Sequence, residues 1–270
     1  MKLDRRGIAV AVACVAVLGL SAPSKAQLGQ ATASPVPEGI EASQSAGFAK
    51  GKYAQLDNLP DWGGIWFLRR DPSGGPGPQP QLKGKYLERF ERWRKQVNAN
   101  DGVELRGRSN CSPPGLPRIM RLAQYPYEFL FTPGRVTINQ EAWMQTRTIW
   151  TDGRQHPPLD EVDPSFHGHS IGHWEGDTLV IDTVGISDAL EFGEGGKHSD
   201  RFRLVERIYL APDDPDLLVN EMTMTDPEAL AEPYHVVANY RRDRHGALIE
   251  FQCAENDRNP VNEDGSTLFL

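Results

Sequence analysis

Cysteine is scarce in this 270-residue chain, with three in all. That excludes a disulfide-framework mini-domain and any CxxC-type zinc or redox site. Past the first 25 residues no apolar run is long enough to cross a bilayer as a helix, so stable membrane insertion is not expected. A basic excess is also missing: the formal net charge is −8, and a surface that tracks nucleic-acid phosphates needs the opposite sign. There is no Walker-type or dinucleotide-type glycine loop and no HExxH, which removes the commonest phosphate, cofactor and zinc signatures. What is present is 39% hydrophobic, 24% charged and 9% aromatic residues with 26 Gly and 21 Pro, the texture of a folded, turn-rich domain rather than long helices.

The first 26 residues read as a signal peptide. Lys2, Arg5 and Arg6 precede an apolar stretch from Ile8 to Leu20, followed by a Ser24-Lys25-Ala26 small-x-small pattern. A periplasmic or secreted location is expected, with the mature chain beginning near Gln27. The charged residues of the leader carry a net +3, so the remainder stands near −11. Cys14 lies in the leader, which leaves Cys111 and Cys253. In an oxidising compartment these read as one disulfide closing a loop of about 140 residues, two separate thiols being the alternative.

Residues 27–58 are poor in periodic apolar positions and read as a flexible lead-in, with a single domain over 59–270. Tyr86, Leu87, Phe90, Trp93 and Val97 recur at helical spacing and predict one amphipathic surface helix over Leu82–Val97. After Cys111, short β-branched and aromatic runs alternate with turn residues every 8 to 12 positions. This predicts about nine antiparallel strands, with hairpins turning at Thr132-Pro133-Gly134 and Glu175-Gly176-Asp177 and strands including Ala142–Trp150 and Ala247–Cys253. A meander of that length either closes into a barrel or packs as a sandwich, since an open sheet would expose its edges; bulky residues on both faces of many strands favour the barrel. Glu191 to Lys197 reads as a glycine-rich lid.

The segment His167-Gly-His169-Ser-Ile-Gly-His173-Trp174-Glu175-Gly176-Asp177-Thr-Leu-Val-Ile-Asp182-Thr183 is the densest in chemistry. Its Trp-Glu-Gly-Asp-Thr-Leu-Val…Asp-Thr core resembles a family of exported, mostly uncharacterised bacterial proteins. So do His198-Ser199, Glu206-Arg207, Cys111 to Arg118, Asp152-Gly-Arg154-Gln-His156-Pro and Cys253-x-Glu255-Asn256. The likeness spans Trp62 to Asn256 and implies common ancestry more than a reaction. By fold analogy the barrel is similar to the calycins, which include lipocalin carriers and cofactor-free phenolic acid decarboxylases.

On an extended strand His167, His169 and His173 would share a face, with His169 reaching the barrel lumen as a general acid or base. The same three rings could hold a metal, but a properly spaced carboxylate is missing, and no metal or cofactor is expected. His173 and Tyr127 are further catalytic candidates. Arg118, presented by a Pro-rich loop, would clamp a substrate carboxylate. Arg147, Arg154, Tyr125 and His167 would help to bind it. The expectation is a cofactor-independent lyase, a decarboxylase of small aromatic or phenolic acids. The alternatives are a lipocalin-like carrier of an apolar ligand and a metal-dependent enzyme using the three-His face. A homo-oligomer is compatible with the sequence and not required by it.

Overall fold

The structure, a computed structural model, describes residues 56–69, 79–102, 112–193 and 195–251. Cys111 and Cys253 lie outside the described residues, as do the leader and most of the lead-in. The chain runs through β1 (Ile65–Arg69), α1 (Gly84–Ala99), β2 (Tyr127–Thr132), β3 (Arg135–Gln140), β4 (Gln145–Trp150), β5 (His169–Glu175) and β6 (Thr178–Val184). A small pair, β7 (Glu191–Gly193) and β8 (Gly196–Lys197), precedes β9 (Arg203–Ala211), β10 (Asp214–Thr225) and β11 (Tyr234–Asp243).

Nine strands form one closed barrel in the order β1-β11-β10-β9-β6-β5-β4-β3-β2, sealed where Ile65 faces Glu128 and Trp66 faces Tyr127. Alternation sets the wall: in β3 Val136, Ile138 and Gln140 are buried while their neighbours are half-exposed, and in β11 five alternate residues from Tyr234 to Arg242 are buried. The expected hairpins are in place, with Gly176 at φ 59° turning β5 into β6.

The expectation of an all-antiparallel meander needs correction at one seam. β4 and β5 run parallel, joined only at Ile149↔Ser170 and Trp150↔Ile171. Parallel neighbours require the chain to cross back, and residues 151–168 make that crossing over the outside of the barrel. Val162 of the crossing sits where a Cβ on Gly185 would meet it at 2.3 Å, and Ser165 bonds to the backbone at Gly185 and Ser187. Two strand assignments also shift. Residues 142–144 form a 3-10 turn, with Trp143 and Met144 at positive φ, and 247–251 are not strand. β1 pairs antiparallel with β11.

The interior is filled. Ile138, Ile149, Leu179, Ile181, Leu204, Ile208 and Met222 are at most 1% exposed and belong to one apolar cluster. Inside it lies a polar knot. Arg147 Nη2 donates to Glu206 Oε2 at 2.5 Å and to Thr183 Oγ1 at 2.9 Å, Ser170 bonds to both Arg147 and Thr183, and Asn220 Nδ2 donates to Glu206 Oε1. A short 3-10 segment, Arg118–Arg121, corks the barrel, with Ile119 and Met120 buried. Tyr127 Oη donates to Ile119 O and accepts from Leu122 N, Gln140 Nε2 donates to Ile119 O, and Tyr240 Oη donates to Met120 O. Side chains of the wall thus supply the partners that the cork's irregular backbone lacks.

Helix α1 lies outside, two residues from the expected start and end, and buries no residue completely. It has no side-chain N-cap, so packing must hold it. Trp93 covers Gly195, where a Cβ would approach its ring to 2.3 Å, and Tyr86 and Phe90 lean on the core. The Glu191 to Lys197 segment is therefore not a free lid: Phe192 is fully buried and stacks on Phe202 at 5.7 Å. Among the described residues no helix is long and apolar enough to cross a membrane.

Candidate functional site

The crossing of residues 151–168 brings His156 onto the outer wall of β5 and β6. Alternation turns Ser170 and Thr183 inward and His169 and Asp182 outward. The antiparallel register pairs Ile171 with Asp182 and His169 with Val184, which makes His169 and Asp182 diagonal neighbours on one face. His156 lies between them. Its Nδ1 is 2.8 Å from Nδ1 of His169, and its Nε2 is 3.5 Å from Oδ2 of Asp182. Asp182 is in turn gripped from β9, Arg203 Nε donating to Oδ1 at 2.7 Å and Nη2 to Oδ2 at 2.5 Å.

The side chains of His156 and Asp182 are 16% and 22% exposed, sheltered but not sealed. His169 Nε2 has no hydrogen-bond partner among the described residues. Burial lowers the pKa of His169 below its ordinary value, helped by repulsion from the His156 ring whenever that ring is protonated and from the Arg154 charge. Burial works against ionising Asp182, but hydrogen bonds and charge from His156 and Arg203 outweigh it and hold the carboxyl well below the usual range. At neutral pH the site thus contains an ionised carboxylate and a neutral, accessible imidazole.

Arg154 borders this cluster, its guanidinium 3.7 Å above the Trp150 ring. Its Nε and Nη2 donate to the two oxygens of Asp152 at 2.9 and 2.7 Å. The other two candidate arginines are likewise committed to carboxylates: Arg118 Nη1 to Glu191 Oε2 at 3.2 Å, and Arg147 to Glu206 within the barrel. A three-arginine clamp around a substrate carboxylate does not form.

The expected three-His face does not form either, because β5 begins at His169 and Gly168, at φ 59°, turns the chain just before it. His167 is left off the strand, bonded to the Thr146 backbone. Burial, with the charge of Arg147, lowers its pKa to about 4. His173 is 64% exposed and pairs with Glu175 at 3.1 Å. His169 points outward to His156, not into the lumen. Among the described residues no group of three or more His, Cys, Asp or Glu is placed to hold a metal. Tyr127 spends its hydroxyl on the cork, and burial raises its pKa far above the usual phenol value. Tyr125 meets Phe251 edge-to-face and Trp143 at a tilt, centroids 5.3 and 6.2 Å away.

The letters Gly168-His169-Ser170-Ile171-Gly172 match the G-x-S-x-G pattern of a nucleophile elbow. Ser170 is nonetheless not placed as a nucleophile, being mid-strand, 2% exposed and bonded to Arg147 and Thr183 rather than to a histidine. His198 and Ser199 do not make a triad with Asp226. His198 Nδ1 bonds to the Ser199 carbonyl, and the Ser199 hydroxyl donates to Asp226, which also caps the backbone of Glu228 and Ala229.

No protein-family model and no curated protein matches the chain. The chemistry therefore rests on the site's own geometry. Of the residues in this cluster, the sequence singles out His169 and Arg154 as candidates but not His156 and Asp182. Both stood in motifs already noted, Asp152-Gly-Arg154-Gln-His156-Pro and Asp182-Thr183. Their meeting depends on the parallel crossing.

Proposed function

We propose that the protein is an exported acid–base enzyme of the lyase type, in which His169 Nε2 takes a proton from a small organic substrate and returns it. The observation that supports this most is the 2.8 Å contact between His156 and His169, backed by the ionised Asp182. The work needed is proton transfer, which these side chains can do unaided. No hydroxyl or thiol bonds to His169 among the described residues, so a histidine-activated nucleophile finds less support than direct proton transfer.

The decarboxylase form of this reading is weakened by the arginines, each of which already holds a protein carboxylate. A weakly acidic or neutral substrate with an apolar body suits the surroundings better. Ile171 shares the outer face with His169 and pairs with Trp150 of the next strand, while a cleft of about 470 Å³ lined by Pro164, Ser165, Phe166, Ser187 and Leu190, none of them in the histidine cluster, opens at the end of the same crossing. In this account Arg154 acts on His169, keeping it unprotonated near neutrality, rather than on the substrate. The carrier reading would need a hollow lumen, and here the lumen is packed.

The test is solvent deuterium exchange and turnover across a panel of aromatic acids and their neutral analogues, followed by NMR without added cofactor. For any substrate found, His169→Ala should lower the rate by about 10² to 10⁴, the usual worth of a positioned base. A folded variant that keeps the parent rate would remove His169 from the mechanism.

A further inference from the structure

Two ring nitrogens 2.8 Å apart must share a single proton: two protons would collide and none would leave two lone pairs opposed. The other end of His156 decides which ring carries it. His156 Nε2 is buried and faces the Asp182 carboxylate at 3.5 Å, long for a hydrogen bond but close enough for the charge to select a protonated nitrogen. A bare Nε2 there would set a lone pair against an anion that Arg203 keeps in place through both oxygens. In neutral His156 the proton thus sits on Nε2 and Nδ1 is bare. That Nδ1 can only accept, so the proton between the rings belongs to Nδ1 of His169. Neutral His169 then has a bare Nε2, which bonds to none of the described residues.

We infer that Asp182 and His156 are positioning residues that lock His169 in its Nδ1–H tautomer and so present Nε2 as a base. This rests on the reading of His169 as the proton-transferring group, but it can stand or fall separately. An unconstrained imidazole in water prefers the opposite tautomer, with the proton on Nε2, so the relay has something to overcome. The inference also assigns direction to the site: His169 begins the cycle as acceptor, and the proton it takes is stabilised through His156 by the Asp182 charge.

The experiment is nitrogen-15 NMR of the imidazoles in the full mature chain at pH 7.5, where long-range couplings distinguish a protonated from a bare ring nitrogen. In the parent protein His169 should show a bare Nε2 and a protonated Nδ1, and His156 the reverse. His156→Gln should preserve the His169 pattern, because its carbonyl can accept from Nδ1–H while its amide donates to Asp182. His156→Leu and Asp182→Ala should each move His169 toward the Nε2–H form, with circular dichroism confirming the fold. If a substrate is in hand, kcat should fall at least tenfold in His156→Leu and recover in His156→Gln, with KM nearly unchanged. A parent His169 already in the Nε2–H form overturns the inference, even if His169→Ala is inactive. The reverse result, the expected tautomer in a protein whose His169→Ala variant turns over normally, overturns the proposed function and leaves the relay intact.

Discussion

His167 and His169 lie two residues apart and receive opposite duties from their surroundings. His167 is buried beside Arg147 with a folded pKa of about 4 against an ordinary 6.5. A histidine whose folded pKa is depressed contributes its full stability above the unfolded value, and loses it as pH falls from 6.5 toward 4, where only the unfolded chain takes up the proton. The 2.5-unit gap corresponds to roughly 3 kcal/mol. His167→Asn can keep a donor toward Thr146 and cannot titrate. Urea unfolding at pH 7.5 and 4.5 should show the variant losing about 2 to 3 kcal/mol less on acidification than the parent. Equal acid losses in the two proteins would mean that His167 is not buried as a neutral ring. At the same scale Gly168 has no room for a side chain: its φ is positive, and a Cβ would lie 2.4 Å from the Val184 carbonyl. The backbone there is what separates the two histidines.

At the scale of elements, most of the barrel was legible. Turn chemistry marked the hairpins and the helix showed its 3.6-residue period, because both are local signals. The parallel seam was not, since β4 and β5 read the same in either direction and pairing sense is set by where residues 151–168 travel. With the seam went the site. His156 is 13 positions from His169 and 26 from Asp182, and no periodicity relates them. The cork was equally opaque: Arg118 drew attention as a cation on a rigid loop, whereas its segment seals the barrel through backbone groups accepted and donated by Tyr127, Gln140 and Tyr240. Removing one such hydroxyl costs about 1 to 3 kcal/mol where a buried partner is left unpaired. The double variant Tyr127→Phe, Tyr240→Phe should therefore open the cork more often, and trypsin should cut after Arg118 or Arg121 several-fold faster than in the parent. Unchanged cleavage would show that the cork is held by the packing of Ile119 and Met120 alone.

For the whole molecule, the interior is packed and the proposed site lies on the outer wall. The Arg147–Glu206 pair is 1% and 0% exposed and sits among serine, threonine and asparagine partners, so it specifies how the barrel closes rather than meeting a ligand. Arg147→Met would leave Glu206 buried without its cation and should cost about 3 to 5 kcal/mol in denaturant unfolding, while Arg147→Met with Glu206→Leu should recover much of that. A loss confined to the double variant would contradict this assignment.

The pH dependence of kcat/KM, for whichever substrate the exchange panel identifies, bears most directly on His169 as the base of an outer-wall site. This profile reports the free enzyme's essential groups. Activity needs the unprotonated ring, so it should fall as pH falls. Because burial, with the Arg154 charge beside it, lowers the His169 pKa, the fall should be centred below the ordinary 6.5. Arg154→Gln removes that charge, which should move the acid limb toward neutral pH. A limb at or above pH 7 in the parent, or one that stays in place in Arg154→Gln, would contradict the account.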